Sequence, residues 1–255
     1  MILYPNVKLN LGLSVLRKRE DGFHDIETLF VPYGGICDRL EIVEAPSFSI
    51  SIDYRSATPW KPEDDLCARA YELLRKDFSI PPVRISLEKN APVGAGLGGG
   101  SSDAVATLRM LDALFELRLG RSRLLSYAAA LGSDCAFFVD NSPAFASGRG
   151  EVLEPFDLDL SPYEIRVTVP EGVSVSTAEA YRGVRFHEGM PLREALSRPV
   201  EEWKGKVLND FEPSVFASHP VLEQIKEGMY AEGAVFASMS GSGSAIYGMF
   251  RREED

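Results

Sequence analysis

A mixed α+β fold is predicted for this 255-residue chain, because strand-like and helix-like periodicities come in unequal blocks rather than in strict alternation. Three stretches carry the prediction. Val7, Leu9, Leu11, Leu13 and Val15 alternate with Lys8, Asn10, Gly12 and Ser14, which is the period of a strand. Ala104, Val105, Leu108, Leu111, Leu114 and Phe115 recur at helical spacing. Strands near 164–169 and 234–250 flank helical segments in the C-terminal part.

Between these landmarks the elements follow in order. A helix is predicted over about 64–77, then a strand at Val83–Glu88, a glycine-rich loop and two helices. Ser101 or Ser102 suits the N-cap of the first helix after the loop. Ser122 suits the N-cap of the second, with Gly132 as its stop. Acidic and proline residues from Pro155 to Pro162 interrupt two apolar patterns, so the expected domains are 1–158 and 159–255.

Bulk composition narrows the function classes. With 38 acidic against 27 basic residues, the formal charge of −11 disfavours nucleic acid or an anionic membrane as partner, and anionic small molecules must be held by local positive charge. Cys37, Cys67 and Cys135 are odd in number and widely spaced, which suits neither a disulfide framework nor a zinc cluster. Lys8 and Asn10 interrupt the N-terminal apolar stretch, and no run reaches the length of a membrane span. A cytoplasmic protein is the expectation.

The densest signal lies at Gly94-Ala95-Gly96-Leu97-Gly98-Gly99-Gly100-Ser101-Ser102, where five glycines fall within seven residues between a strand and a helix. Backbone amides freed of Cβ atoms can converge on an anion at the positive end of the following helix, so phosphate is the expected guest. Gly94-x-Gly96-x-x-Gly99 matches the dinucleotide fingerprint literally, but Pro92 interrupts the strand-to-turn connection. Gly100 is followed by serines rather than by the lysine of a Walker loop, and no Val-Ala-Ile-Lys strand of a protein kinase follows.

The remaining pattern, Pro-x-Gly-x-Gly-Leu-Gly-Gly-Gly-Ser-Ser, resembles the phosphate loop of the GHMP small-molecule kinase superfamily. Other motifs agree in order: Val7 to Leu13, Arg19 to His24, Leu131 to Phe138, Gly148 to Glu151, Asn209 to Glu212 and Ser240 to Ser244. The resemblance implies an N-terminal ribosomal protein S5 domain 2-like domain and a C-terminal ferredoxin-like domain, with the active site between them. Its closest branch implies transfer of phosphate from ATP to the 2-hydroxyl of a cytidine-diphosphate-linked methylerythritol in the non-mevalonate isoprenoid route.

The resemblance also implies roles for individual residues. Lys8 and Asp134 would be catalytic, with Asp134 the general base and Lys8 stabilising the transferred phosphoryl group. Lys89, Pro92, Gly94, Gly96, Leu97, Gly98, Gly99, Gly100, Ser101 and Ser102 would bind ATP, and Ser101 is the candidate ligand for Mg²⁺. Asn10, Phe23, His24, Tyr181, Gly241 and Ser242 would bind substrate, Phe23 and Tyr181 sandwiching the cytosine and His24 reading its edge.

Asp103 is expected to point away from the phosphates, and Asp65 stands where the family often has asparagine. His187 and His219 belong to no recognisable constellation and read as surface or packing residues. A monomer or weak homodimer is expected. Homoserine, mevalonate and sugar kinases remain alternatives within the superfamily. A regulatory nucleotide-binding module and a dinucleotide oxidoreductase are the alternatives outside it.

Overall fold

The alternating segments form strands and the 3.6-period segments form helices, in a computed structural model that describes residues 1–54 and 61–253. In chain order the first elements are β1 (Ile2–Leu3), β2 (Asn6–Lys18), β3 (His24–Cys37), β4 (Arg39–Glu44), β5 (Ser49–Tyr54), α1 (Leu66–Asp77) and β6 (Val83–Lys89). After the glycine loop come α2 (Gly99–Leu114), α3 (Gly120–Leu131), α4 (Cys135–Asp140), β7 (Ala144–Ser147), β8 (Val152–Pro155) and β9 (Tyr163–Thr168). The chain continues through α5 (Thr177–Gly183), α6 (Leu192–Leu196), α7 (Glu212–Ser218), α8 (Pro220–Ala231), β10 (Phe236–Met239) and β11 (Ile246–Arg251).

Two compact units result. The first comprises residues 1–8, 32–93 and 98–142. Its sheet runs β1-β4-β6-β5, with β5 parallel to β6 and the other pairs antiparallel. Leu40, Ile42, Val83, Ile85 and Leu87 are buried, as are Ala70, Tyr71 and Leu74 of α1 and Val105, Leu108 and Leu111 of α2. Asp65 starts α1 as its N-cap, its carboxylate accepting the Cys67 N–H at 2.8 Å.

The second unit comprises residues 9–31, 94–97 and 143–255. One sheet is ordered β2-β3-β7-β8, and an antiparallel sheet is ordered β10-β11-β9 with α8 packed on β10 and β11. Its core joins Leu13, Val15 and Ile26 to Phe211, Val215, Leu222, Met239 and Ile246.

The α+β class follows the sequence, but several local expectations change. A single division at 158/159 does not describe the packing units, because β2 and β3 each begin in one and finish in the other. The interruption from Pro155 to Pro162 is the connection between β8 and β9, both in the second unit. Helix α2 starts at Gly99 with Gly98 in the left-handed region as its N-cap, ahead of the serines. Helix α3 starts at Gly120, two residues before Ser122, and Gly132 ends it in extended rather than left-handed backbone at φ 177. The apolar run after Asp134 closes into the six-residue helix α4, a third helix beyond the loop.

Strand β2 departs furthest from its pattern. Both faces are buried, with Lys8 and Asn10 at 3% and Ser14 at 1% exposure, so the polar face of the alternation is interior as well. Gly12 has φ +69, and a Cβ there would lie 2.5 Å from Leu192 Cδ1 and 3.0 Å from Val207 Cγ1. Gly12→Ala therefore loses about 1–3 kcal/mol in urea unfolding through strain and overpacking. Gly22→Ala, which shares a positive φ but meets nothing within 4 Å, loses about 1 kcal/mol.

Candidate active site

Burial of Lys8 in β2 requires an anion within reach, because an isolated buried ammonium is costly. Its Nζ lies 3.5 Å from Asp134 Oδ2, and the Asp134 side chain keeps 34% exposure. Burial pushes the Lys8 ammonium below the ordinary lysine value, and Asp134 opposes that shift. Asp134 sits directly ahead of α4, whose Phe137 and Phe138 are buried and fix the helix in place. Gly98 completes this arrangement: a Cβ there would stand 3.1 Å from Lys8 Cγ and 3.3 Å from Phe138 Cε2. A half-exposed carboxylate beside a buried ammonium and a glycine helix start can accept a proton next to a bound phosphate.

The lead-in to the loop is held by a buried acid pair. Asp38 Oδ1 accepts the Asn90 and Ala91 N–H groups at 2.6 and 2.7 Å, and Oδ2 accepts from Lys89. Lys89 also donates to Asp103 Oδ2 at 2.6 Å. Two carboxylates thus share one ammonium away from water, and burial, reinforced by neighbouring Asp38, pushes the Asp103 carboxyl well above the usual range. Lys89, expected among the ATP contacts, is 2% exposed and committed to these two acids. That placement is a correction: its charge neutralises the interior. Asp103 turns toward Lys89, and Asp38 is a residue that sequence reasoning missed because no local pattern marks it.

In the second unit, Gly94–Leu97 is pinned by the hairpin that joins β10 to β11. Ser240 Oγ donates to the Gly96 carbonyl at 3.0 Å and accepts the Asn10 N–H at 3.1 Å, while the Ala245 N–H donates to the Ala95 carbonyl at 3.1 Å. A Cβ on Gly96 would run into the Ser240 carbonyl, so this close backbone approach requires glycine. Gly241 and half-buried Ser242 lie on the same hairpin. Asn209 Nδ2 donates to the Met239 and Gly241 carbonyls, both at 2.8 Å, and Glu212 Oε1 accepts from Met239 N–H at 2.8 Å and Ser238 Oγ at 2.9 Å. The Asn209 to Glu212 motif is therefore the clamp of the hairpin. Asn10 Nδ2 donates to Thr28 Oγ1 at 3.0 Å.

The aromatic residues divide differently from expectation. His24 stacks on Tyr181, with ring centroids 4.5 Å apart and planes 16° apart, and Phe211 meets Tyr181 edge-on at 4.8 Å. Phe23 is 55% exposed, with the Arg149 guanidinium 4.9 Å above its ring. The ring resting on Tyr181 is thus His24 rather than Phe23, because residues next to each other at the start of a strand point in opposite directions. Burial, helped by Lys18, holds the His24 imidazole below its ordinary value.

Comparison with known proteins identifies the family. The GHMP kinases N terminal domain model matches residues 65–149, and the GHMP kinases C terminal model matches residues 192–255. The chain is 48% identical to the 4-diphosphocytidyl-2-C-methyl-D-erythritol kinase of Bacteroides thetaiotaomicron, over 99% of this chain and 93% of that protein. It belongs to the 4-diphosphocytidyl-2-C-methyl-D-erythritol kinase family.

The Bacteroides fragilis member is 45% identical over 100% of this chain and 93% of its own. A crystal structure of 4-(cytidine 5'-diphospho)-2C-methyl-D-erythritol kinase superposes with a TM-score of 0.80 at 36% identity, covering 98% of this chain and 90% of that one. The fold is accordingly the GHMP kinase fold, with its S5 domain 2-like and ferredoxin-like parts, and the chain is an ATP-dependent small-molecule kinase. Within that fold, Lys89→Met leaves Asp38 and Asp103 facing each other without a cation. Chemical unfolding should show a loss of about 3–5 kcal/mol, the range for removing one partner of a buried ion pair.

Proposed function

We propose that this kinase phosphorylates the 2-hydroxyl of 4-diphosphocytidyl-2-C-methyl-D-erythritol with ATP in the non-mevalonate isoprenoid pathway. The stacked His24–Tyr181 pair carries the substrate assignment, because mevalonate, homoserine and sugars offer no base for it to recognise. Burial and Lys18 keep the His24 imidazole below its ordinary value and hence neutral near pH 7. A neutral ring offers one donor and one acceptor to the edge of a cytosine. Tyr181 and exposed Phe23 supply faces for stacking, and Asn10 with Gly241 and Ser242 positions the remainder of the substrate.

Phosphoryl transfer demands positioning and positive charge more than covalent chemistry. The Asp134 carboxylate takes the proton of the substrate hydroxyl as that oxygen bonds to the γ-phosphorus of ATP and the bond to ADP breaks. Lys8, 3.5 Å from Asp134, faces the negative charge that develops on the transferred group. Pro92 and the loop from Gly94 to Ser102 receive the ATP phosphates through backbone amides. Among the described residues no three metal-ligating side chains converge. Mg²⁺ suits such a site as a companion of the nucleotide, held mainly by phosphate and water with the Ser101 hydroxyl as a protein ligand.

Cys37, Cys67 and Cys135 are free thiols, which supports action in the reducing cytoplasm. The presence of both Lys8 and Asp134 speaks against a regulatory module that has lost catalysis.

ADP release measured against the cytidylyl alcohol, mevalonate, homoserine and galactose tests the assignment: turnover is expected with the first, and activity confined to any of the others refutes it. Lys8→Ala and Asp134→Ala should each lose more than about 10²-fold in kcat with the fold retained, in line with general acid–base groups. Near-normal turnover of Asp134→Ala would remove it as the base. Tyr181→Ala should raise KM for the cytidylyl substrate roughly tenfold or more, as loss of a stacking surface does.

A further inference from the structure

His187 lies outside the residues assigned above, yet its ring is fully engaged. Nδ1 is 3.0 Å from Asp210 Oδ1 and Nε2 is 3.0 Å from the Met190 carbonyl. Both partners are acceptors, so both nitrogens bond only when each carries a hydrogen, which is the imidazolium. The side chain is 8% exposed.

Asp210 is itself anchored: its Oδ2 accepts the Val15 N–H at 2.8 Å, and its own N–H donates to the Leu13 carbonyl at 2.9 Å. The His187 N–H donates to the Val15 carbonyl at 2.8 Å. The connection between α5 and α6, residues 184–191, is therefore fastened to β2 through His187 by backbone and side chain together. Phe186 precedes His187 directly, and its ring lies 6.5 Å from the His24 ring, tilted by 53°.

We propose that His187 is a positioning residue for substrate recognition: as an imidazolium clamped between Asp210 and the Met190 carbonyl, it holds Phe186 beside His24, and binding of the cytidylyl substrate weakens when the clamp loses its proton. This rests on the substrate reading given above. The charged groups facing the ring are Asp210 and Glu27 of β3. The carboxylate hydrogen bond, the Met190 contact and these two charges raise His187 above the ordinary histidine value despite burial. A group raised on folding contributes stability that is complete below its unfolded value and lost as pH rises through its folded one. The neutral ring keeps one hydrogen, and the other nitrogen then presents a lone pair to an acceptor.

The test is a steady-state pH profile of the intact enzyme with the cytidylyl substrate, alongside the His187 imidazole ¹⁵N titration and hydrogen exchange of residues 184–191. In the unsubstituted enzyme, KM should rise on the alkaline side in step with the His187 titration, while exchange of residues 184–191 accelerates. His187→Gln, which keeps one pH-independent hydrogen bond, should start with KM about fivefold higher at pH 6.5, the effect of losing one charge-assisted bond. Its alkaline limb should be gone, and the change should fall on KM rather than kcat. The acid limb from His24, which titrates below its ordinary value, should persist in the variant.

Phe186→Ala should raise KM similarly while His187 still titrates. An alkaline limb unchanged in His187→Gln overturns the proposal, as does a His187 titration in the unsubstituted enzyme without any movement of KM. Absence of turnover with the cytidylyl substrate at every pH overturns the substrate reading itself, and pH-dependent exchange of residues 184–191 in that case still supports the clamp.

Discussion

The burial of β2 on both faces is the constraint from which the site follows. A strand with one wet face could carry Lys8 and Asn10 without consequence, but at 3% exposure each is answered from within the protein, whereas the buried Ser14 Oγ finds no hydrogen-bond partner among the described residues. In the first unit Asp134 answers Lys8. In the second, Thr28 accepts from the Asn10 amide and donates to the Gly12 carbonyl, and Ser240 accepts from the Asn10 backbone. Farther along the strand, the backbone of Leu13 and Val15 is taken up by Leu208, Asp210 and His187. Lys8 and Asn10 are thus each held, within their own unit, by partners that satisfy buried polar atoms.

The density of glycine in the loop has more than one cause. Gly96 is required by the Ser240 carbonyl, Gly98 by the stem of Lys8, and Gly99 by Ala91 Cβ, which would stand 3.0 Å from an added Cβ. Gly94 has open space around it, and its constraint is its backbone conformation, φ +70. The close packing around these glycines is permitted by the absence of a Cβ, the same property that suits the loop to the phosphate-binding role proposed for it. Beside Gly99, Lys89 is buried in an ion-paired cluster with Asp38 and Asp103. The positive potential proposed for phosphoryl transfer is left to Lys8 and the helix start.

Much of this was legible in the chain itself. The periodicities marked β2, β6, α1 and α2, and the glycine spacing marked the loop ahead of α2, because those signals come from neighbours in sequence and obey fixed repeats. Motif order marked the kinase superfamily. What failed to show depends on distant partners. The commitment of Lys89 to two acids, the role of Asp38, and the clamp formed by Asn209 and Glu212 involve groups from 14 to 53 residues apart. His187 looked like a packing residue because its acceptors, Asp210 and the Met190 carbonyl, form no local pattern.

By itself the sequence determined the fold class, the kinase superfamily and the position of the glycine-rich loop, since these rest on local periodicity, on the order of motifs and on residue type. Only the tertiary structure decided which charges are buried and therefore paired, that the ring resting on Tyr181 is His24 rather than Phe23, and that α2 starts at Gly99 rather than after a serine cap. Those outcomes depend on desolvation and close approach between segments far apart in the chain. No pattern of neighbouring residues encodes either.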